Sequence, residues 1–236
     1  MSSESNKIVV YAALLGNLAI ALVKFVAAYI TNSSAMLSEA IHSVVDTLNE
    51  ILLLHGMKKS QKRPDALHPF GYGRELYFWA FIVALMVFAL GAIVSIYQGI
   101  QHIIHPEEMR DPMINYIVLG IAILCEGTSW FVALKAFRKH KGKMGYFEAF
   151  RRSKDPTTFT VLFEDTAALI GLFIALVGIF LAHQLNIPEL DGAASILIGV
   201  VLAVSAWLLA RETKGLLLGE TADPRLRENV LNIAQQ

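Results

Sequence analysis

Residues 38–50 read "SEAIHSVVDTLNE", and the apolar run "ILLL" follows directly at 51–54. Glu39, His42, Asp46 and Glu50 succeed one another at offsets of three, four and four. A helix turning about 100° per residue carries side chains at those spacings along one face. A polar stripe in an otherwise greasy helix must look at something, and what it looks at depends on the solvent around the helix.

Composition points to lipid. The chain has 236 residues, of which 55% are hydrophobic and 17% charged, with a mean hydropathy of +0.52. A water-soluble domain carries about 25% charged residues. The formal net charge is zero, which argues against nucleic acid or any strongly charged partner. One cysteine, Cys125, leaves no disulfide framework and no cysteine-rich metal site within a single chain. The start, "MSSESNK", has neither a signal-peptide n-region nor an Arg-rich transit pattern, and the first apolar segment is too long for a cleaved signal core.

A membrane-crossing helix needs about 20 mostly apolar residues. Six stretches have that length, at 8–30, 35–57, 78–103, 114–137, 158–182 and 191–211. Backbone in lipid must satisfy its own hydrogen bonds, so these are expected to be helices, and six runs leave no room for a barrel. The loops alternate in basic charge. Lys7 precedes the first run, and Lys58, Lys59, Lys62, Arg63 and Arg74 follow the second. Lys135, Arg138, Lys139, Lys141, Lys143, Arg151, Arg152 and Lys154 crowd the fourth loop, and Arg211, Lys214, Arg225 and Arg227 the last. The first and fifth loops have none, and the third only Arg110. By the positive-inside rule both termini are cytoplasmic. The expected fold is an all-α membrane protein, a six-helix transmembrane bundle over 1–212, with 213–236 as the start of a cytoplasmic C-terminal domain.

An ionisable residue near the bilayer centre costs about 2.5–3.5 kcal/mol on insertion scales, so intramembrane charges mark function. The second run holds His42 and Asp46 near its middle, with Glu39 and Glu50 a turn to either side; the fifth holds Glu164 and Asp165, and the fourth Glu126. His42 and Asp46 can close on one ion from a single helix, an imidazole and a carboxylate on adjacent turns that suit zinc and other first-row divalent ions. Asp165 is the natural donor from a second helix, with Glu164 about 100° around from it. An internal His–Asp hydrogen bond is the plainer alternative. Glu39 and Glu50 divide between binding and facing water in a vestibule, and Glu126 between a proton-carrying and a structural role. Lys24 is snorkelling or bundle-facing and receives no role. His55, His102, His105, His140 and His183 read as interfacial, the sequon at Asn32 as unused, and "GLLLG" at 215–219 as the start of the tail. Neither H-E-x-x-H nor G-x-S-x-G occurs, so no hydrolase is expected.

Three segments carry a family resemblance. "SSAMLSEAIHSVVDTLNEILLL" resembles the second helix of the cation diffusion facilitators, "HPFGYGRE" at 68–75 resembles their segment before the third helix, and "LLGETADPRLREN" resembles the hand-over to their cytoplasmic domain. "VLFEDTAALIGL" is similar to the zinc transporter 9 branch. The resemblance covers the whole chain. It implies a multi-pass protein of the lipid bilayer, a homodimer that exports a divalent metal ion against protons by alternating access, and no enzyme. A cell (inner) membrane is expected, or an organelle membrane in a eukaryote.

The family's two H/D-x-x-x-D pairs fall here on His42 and Asp46 and on Val161 and Asp165. Val161 cannot bind metal, so the implied ligands are His42, Asp46 and Asp165, completed by Glu164, Glu126 or water. Zn²⁺ is the expected cargo, with Mn²⁺, Co²⁺, Ni²⁺ or Fe²⁺ as alternatives, because more oxygen donors favour six-coordinate ions. A metal-sensing scaffold with a degenerate site is the other alternative. Asp65 and His68 match part of a loop metal site found in some relatives, where Tyr72 stands in place of a further histidine.

Overall fold

The computed structural model describes residues 2–107, 110–141, 156–219 and 232–234, with side chains described from Leu14 onward and not at 136, 139–141 or 156–159. Lys143, Arg151, Arg152, Lys154, Arg225 and Arg227, on which part of the charge pattern rests, lie outside the described residues, as do the side chains of Lys7, Lys139, His140 and Lys141. Six long helical segments account for most of the described residues. We label them α1 (Ser2–Thr31), α2 (Ser34–Ser60), α3 (Glu75–Ile104), α4 (Met113–Lys141), α5 (Pro156–Leu185) and α6 (Glu189–Leu218). Five of these contain a stretch long and apolar enough to cross a membrane: Leu14–Thr31, Glu75–Ile104, Met113–Lys135, Thr160–Leu185 and Glu189–Leu218. The exception is α2, where the polar stripe dilutes the hydropathy although 27 residues reach about 40 Å at 1.5 Å each.

The helices end where the sequence lets the backbone turn left-handed. Asn32 (φ 56°), Asn186 (φ 53°) and Gly219 (φ 86°) follow α1, α5 and α6. After α5 the Ile187 amide donates to the Ala182 carbonyl at 3.1 Å, the long bond of a Schellman ending with asparagine at the turn. The "GLLLG" segment is therefore the last turn and cap of α6, not the start of a tail. It reads as tail because the apolar run breaks at Arg211, whereas the helix hydrogen bonds continue past it.

Two features set the core. α3 passes through a π-helical segment, Val87–Ala92, which adds a residue to the turn and shifts the register of its two halves. Its second half then lies very close to α6. A Cβ on Gly99 would come within 2.5 Å of the Gly192 carbonyl oxygen, and one on Gly192 within 2.8 Å of the Gly99 oxygen. Small residues allow this backbone approach, which dispersion between helices rewards in lipid. α2 joins the pair through Ser38 and Ser195, whose hydroxyls are 2.6 Å apart, while Ser195 donates to the Ser95 carbonyl at 2.9 Å. Met36, Leu119, Leu172, Ile179, Ile198 and Leu202 fill the centre. Leu22, Phe88, Phe173 and Trp207 point outward, the apolar exterior that lipid tolerates and water does not.

The α1–α2 hairpin, the α3–α4 connection and the α5–α6 turn meet at one end. The Arg110 amide donates to the Thr31 carbonyl at 3.1 Å, and Ser33 Oγ to Asp191 Oδ1 at 2.7 Å. These are the connections poor in lysine and arginine.

Candidate metal site

α2 carries the polar stripe at helical spacing, and the stripe splits along its length. His42 is 1% exposed, and its Nδ1 lies 3.3 Å from Asp46 Oδ1, one turn on. The pair is in contact but not aligned as a hydrogen bond. His42 Nδ1, His42 Nε2 and Asp46 Oδ1 are all buried without a hydrogen-bond partner among the described residues. Buried polar atoms are rarely left so, because each forfeits its hydration without compensation. A hydrogen bond between imidazole and carboxylate would satisfy Nδ1 and Oδ1 and still leave Nε2 without a partner among the described residues.

Asp46 opens onto a cavity of about 100 Å³, which Glu50, Glu126, Glu164 and Asp165 also line. Four helices thus contribute to one small space, since Asn17 of α1 reaches it too. Val161 lines the same cavity one turn from Asp165. Glu164 and Asp165, adjacent in sequence, diverge as their angular separation requires. Glu164 Oε1 accepts from Asn49 Nδ2 of α2 at 2.8 Å, and Asp165 Oδ2 accepts from Ser129 Oγ of α4 at 3.0 Å. Glu50 Oε1 accepts from Asn17 Nδ2 at 2.8 Å.

His42 is not on the cavity wall, and no three His, Cys, Asp or Glu side chains close around one point among the described residues. The structure therefore brings His42 to Asp46, and Asp46 to Glu164 and Asp165, without closing all four on one centre.

Glu39 departs from expectation. It does not face a water-filled vestibule: it is fully buried, and its Oε2 lies 3.2 Å from Lys24 Nζ. Lys24 does not snorkel; it is 1% exposed and also donates to Ser43 Oγ at 2.8 Å. An offset of 15 residues across a hairpin leaves no local periodicity, so this pairing has no short-range signature in the sequence. His102, in the last turn of α3, faces the bundle. Its side chain is 10% exposed, with Nε2 3.7 Å from Asp191 Oδ2. Asp191, which sequence reasoning missed, is fully buried and receives the Ser34 amide at 2.5 Å and the Ala35 amide at 3.3 Å. An aspartate in the first turn of a helix, next to a hairpin rich in serine, was the available signal.

The loop residues Asp65 and His68 come together, with Asp65 Oδ1 3.3 Å from His68 Nδ1. The same carboxylate accepts the amides of Leu67 and His68 and, at 2.6 Å on Oδ2, the Tyr72 hydroxyl. The Tyr72 hydrogen bond, with those of His68, holds the exposed Asp65 carboxyl below its ordinary pKa; the same bond pushes the Tyr72 phenol up. The chain's own donors thus occupy both Asp65 oxygens in a self-sufficient turn.

Residues 10–218 match the family model of the cation efflux transmembrane domain. The mitochondrial proton-coupled zinc antiporter SLC30A9 of Mus musculus is 36% identical over 204 residues, covering 85% of this chain and 36% of that protein. Metal tolerance protein C4 of Arabidopsis thaliana is 30% identical over 233 residues, covering 98% of this chain and 51% of that protein. The manganese efflux system protein MneS of Bacillus subtilis is 23% identical over 210 residues, covering 89% of this chain and 66% of that protein. The chain spans only 36% of the antiporter's length and 51% of the plant protein's.

Proposed function

The chain belongs to the cation diffusion facilitator family, and we propose that it carries divalent transition-metal ions, zinc foremost, across a membrane in exchange for protons. It is a multi-pass membrane transporter and not an enzyme. In this reading α2 is a sixth span, both termini are cytoplasmic, and two copies form a homodimer. The membrane is that of the cell or of an organelle; the mouse relative is named as mitochondrial.

One observation carries the reading. The nitrogens of His42 and Oδ1 of Asp46, without a hydrogen-bond partner among the described residues, sit beside a carboxylate-lined cavity. Donors of that kind bind a divalent ion once deprotonated, so metal entry releases protons and protons arriving from the other side release metal. His42, Asp46, Asp165 and Glu164 bind the ion. Glu126 and Glu50, at the cavity wall, pass protons. Asp165 must leave Ser129, and Glu164 must leave Asn49, for the set to close on the ion. Such a rearrangement is what alternating access supplies, the helices rocking between an open and a closed arrangement.

Val161 favours a second cargo. With an apolar side chain in place of a donor, the shell is completed by carboxylate oxygens or water, which suits manganese or another six-coordinate ion. One Bacillus relative is named for manganese efflux.

The test is uptake by reconstituted vesicles under an imposed pH gradient, comparing zinc, manganese, cobalt, nickel and iron(II), beside Asp46→Ala and Asp165→Ala. Gradient-driven uptake lost in both variants supports the exchanger and names its ion. Metal binding with no uptake in the wild-type chain overturns transport in favour of a metal-sensing scaffold.

A further inference from the structure

Among the described residues Lys24 is the only buried lysine or arginine. It projects from the last third of α1 with its ammonium shared between Glu39 Oε2 at 3.2 Å and Ser43 Oγ at 2.8 Å. Ser43 lines the same cavity as Asp46, Glu164 and Asp165, so the ammonium stands one hydroxyl away from the cavity. Glu39 is held from the other side by α5. A Cβ on Gly171 would fall 2.5 Å from Glu39 Oε1, and that oxygen has no hydrogen-bond partner among the described residues.

Stability is a poor reason for such a pair. Two charges taken wholly out of water lose more hydration than their attraction returns unless every remaining donor and acceptor is satisfied, and here Glu39 Oε1 is not. What the pair does supply is orientation: its ammonium end faces the cavity through Ser43, with the Glu39 carboxylate set off the cavity wall. Ser43, which takes the ammonium's hydrogen bond, is the neighbour of His42 in sequence and stands three residues before Asp46 on α2, so the charge lies close to both. In a medium less polarisable than water, like charges at such range repel strongly. A cavity walled by five carboxylates would otherwise hold a divalent ion tightly, and a carrier that never lets go does not turn over.

The geometry points to Lys24 as a tethered cation that weakens the hold of the carboxylate-lined cavity on a divalent ion and speeds its release. The inference rests on the divalent-cation reading above. It assigns Lys24 no contact with the metal: the residue acts across Ser43 and through Glu39.

The test uses the full chain in detergent and Zn²⁺ alone as the probe, titrated calorimetrically, with release timed by stopped-flow mixing against a chelator. Lys24→Met and Lys24→Gln remove the charge, and the glutamine keeps a donor for Glu39 and Ser43. Both are expected to bind zinc about tenfold more tightly and to release it slower by a similar factor. Vesicle uptake should show KM and kcat falling together. Lys24→Arg keeps the charge and should restore affinity and release toward the wild type. Unchanged or weaker binding in folded Lys24→Gln overturns the proposal, as does failure of both neutral variants to fold while Lys24→Arg folds. If wild-type zinc binding is absent, the divalent-cation reading falls and takes this inference with it. If the wild type binds but the neutral variants bind no tighter, only the tethered cation is lost.

Discussion

Asp191 of α6 caps the start of α2: its Oδ2 accepts the Ser34 amide at 2.5 Å and the Ser34 hydroxyl at 3.0 Å, while Oδ1 accepts the Ser33 hydroxyl at 2.7 Å. The first amides of a helix have no partner within it, and its N-terminus carries partial positive charge. Ser33 also accepts from the Met36 amide at 3.1 Å, so a serine cap and a carboxylate from another helix share the work. The carboxylate thereby fixes the height of α2 against α6, and with it the depth of His42 and Asp46 in the bundle.

Asp191→Asn should therefore destabilise the bundle without touching His42, Asp46, Glu164 or Asp165. An amide turns one acceptor into a donor that faces other donors, at a cost of about 1–3 kcal/mol. The melting temperature of the detergent-purified variant should drop by several degrees. An unchanged melt would show that water or Ser33 alone can serve the α2 terminus.

The α3–α6 seam makes a sharper demand. A methyl at Gly192 meets the Gly99 carbonyl oxygen at 2.8 Å, and backbone cannot swing aside. Gly192→Ala should cost about 1–3 kcal/mol through forced separation of the two helices. Gly16→Ala is the control, since a methyl added there has nothing within 4 Å. Comparable melts for the two variants would refute the close approach.

The helices were legible because lipid imposes one rule on every span, and the α2 stripe was legible because its members share one helix. Long-range pairings were not. Glu39 and Lys24 find each other across a hairpin, and Asp191 finds Ser33 and Ser34 at a separation of more than 150 residues; no period in the sequence encodes either. The π-helical segment of α3 was equally silent, since Val87–Ala92 reads as ordinary apolar helix. Val161 shows the reverse. The apolar exception to the donor pattern stands out in the sequence, and its side chain lines the cavity with Asp165.

The Asp65–Tyr72 clasp predicts a pH window. Asp65 has its carboxyl pKa held down in the fold, so its contribution is complete above the ordinary carboxylate value of about 3.9 and is lost as pH falls through the lower folded value. Tyr72 is shifted up, so its contribution is complete below about 10 and is lost as pH rises through the raised folded value. The turn should hold its shape between those limits and open outside them. Carbon NMR of the Asp65 carboxyl reads the acid limb directly, and Tyr72→Phe should move its midpoint upward. A midpoint that stays put would show that the Tyr72 hydroxyl is not its principal donor.

Val161→His tests whether the cavity is the metal site. The side chain already lines the space shared by Asp46, Glu164 and Asp165, so an imidazole there adds a nitrogen donor on the turn before Asp165. A tetrahedral site with two imidazoles and two carboxylates suits zinc better than a shell completed by water. Zinc affinity should rise by at least about tenfold, discrimination against manganese should sharpen, and turnover should slow because release becomes limiting. Calorimetry with both metals and vesicle uptake measure the three effects. Tighter zinc binding that Asp165→Ala then abolishes would tie positions 161 and 165 to one ion. Unaltered zinc and manganese affinities would place the ion elsewhere, against His42 and Asp46 alone, and would take Asp165 and Glu164 out of its shell.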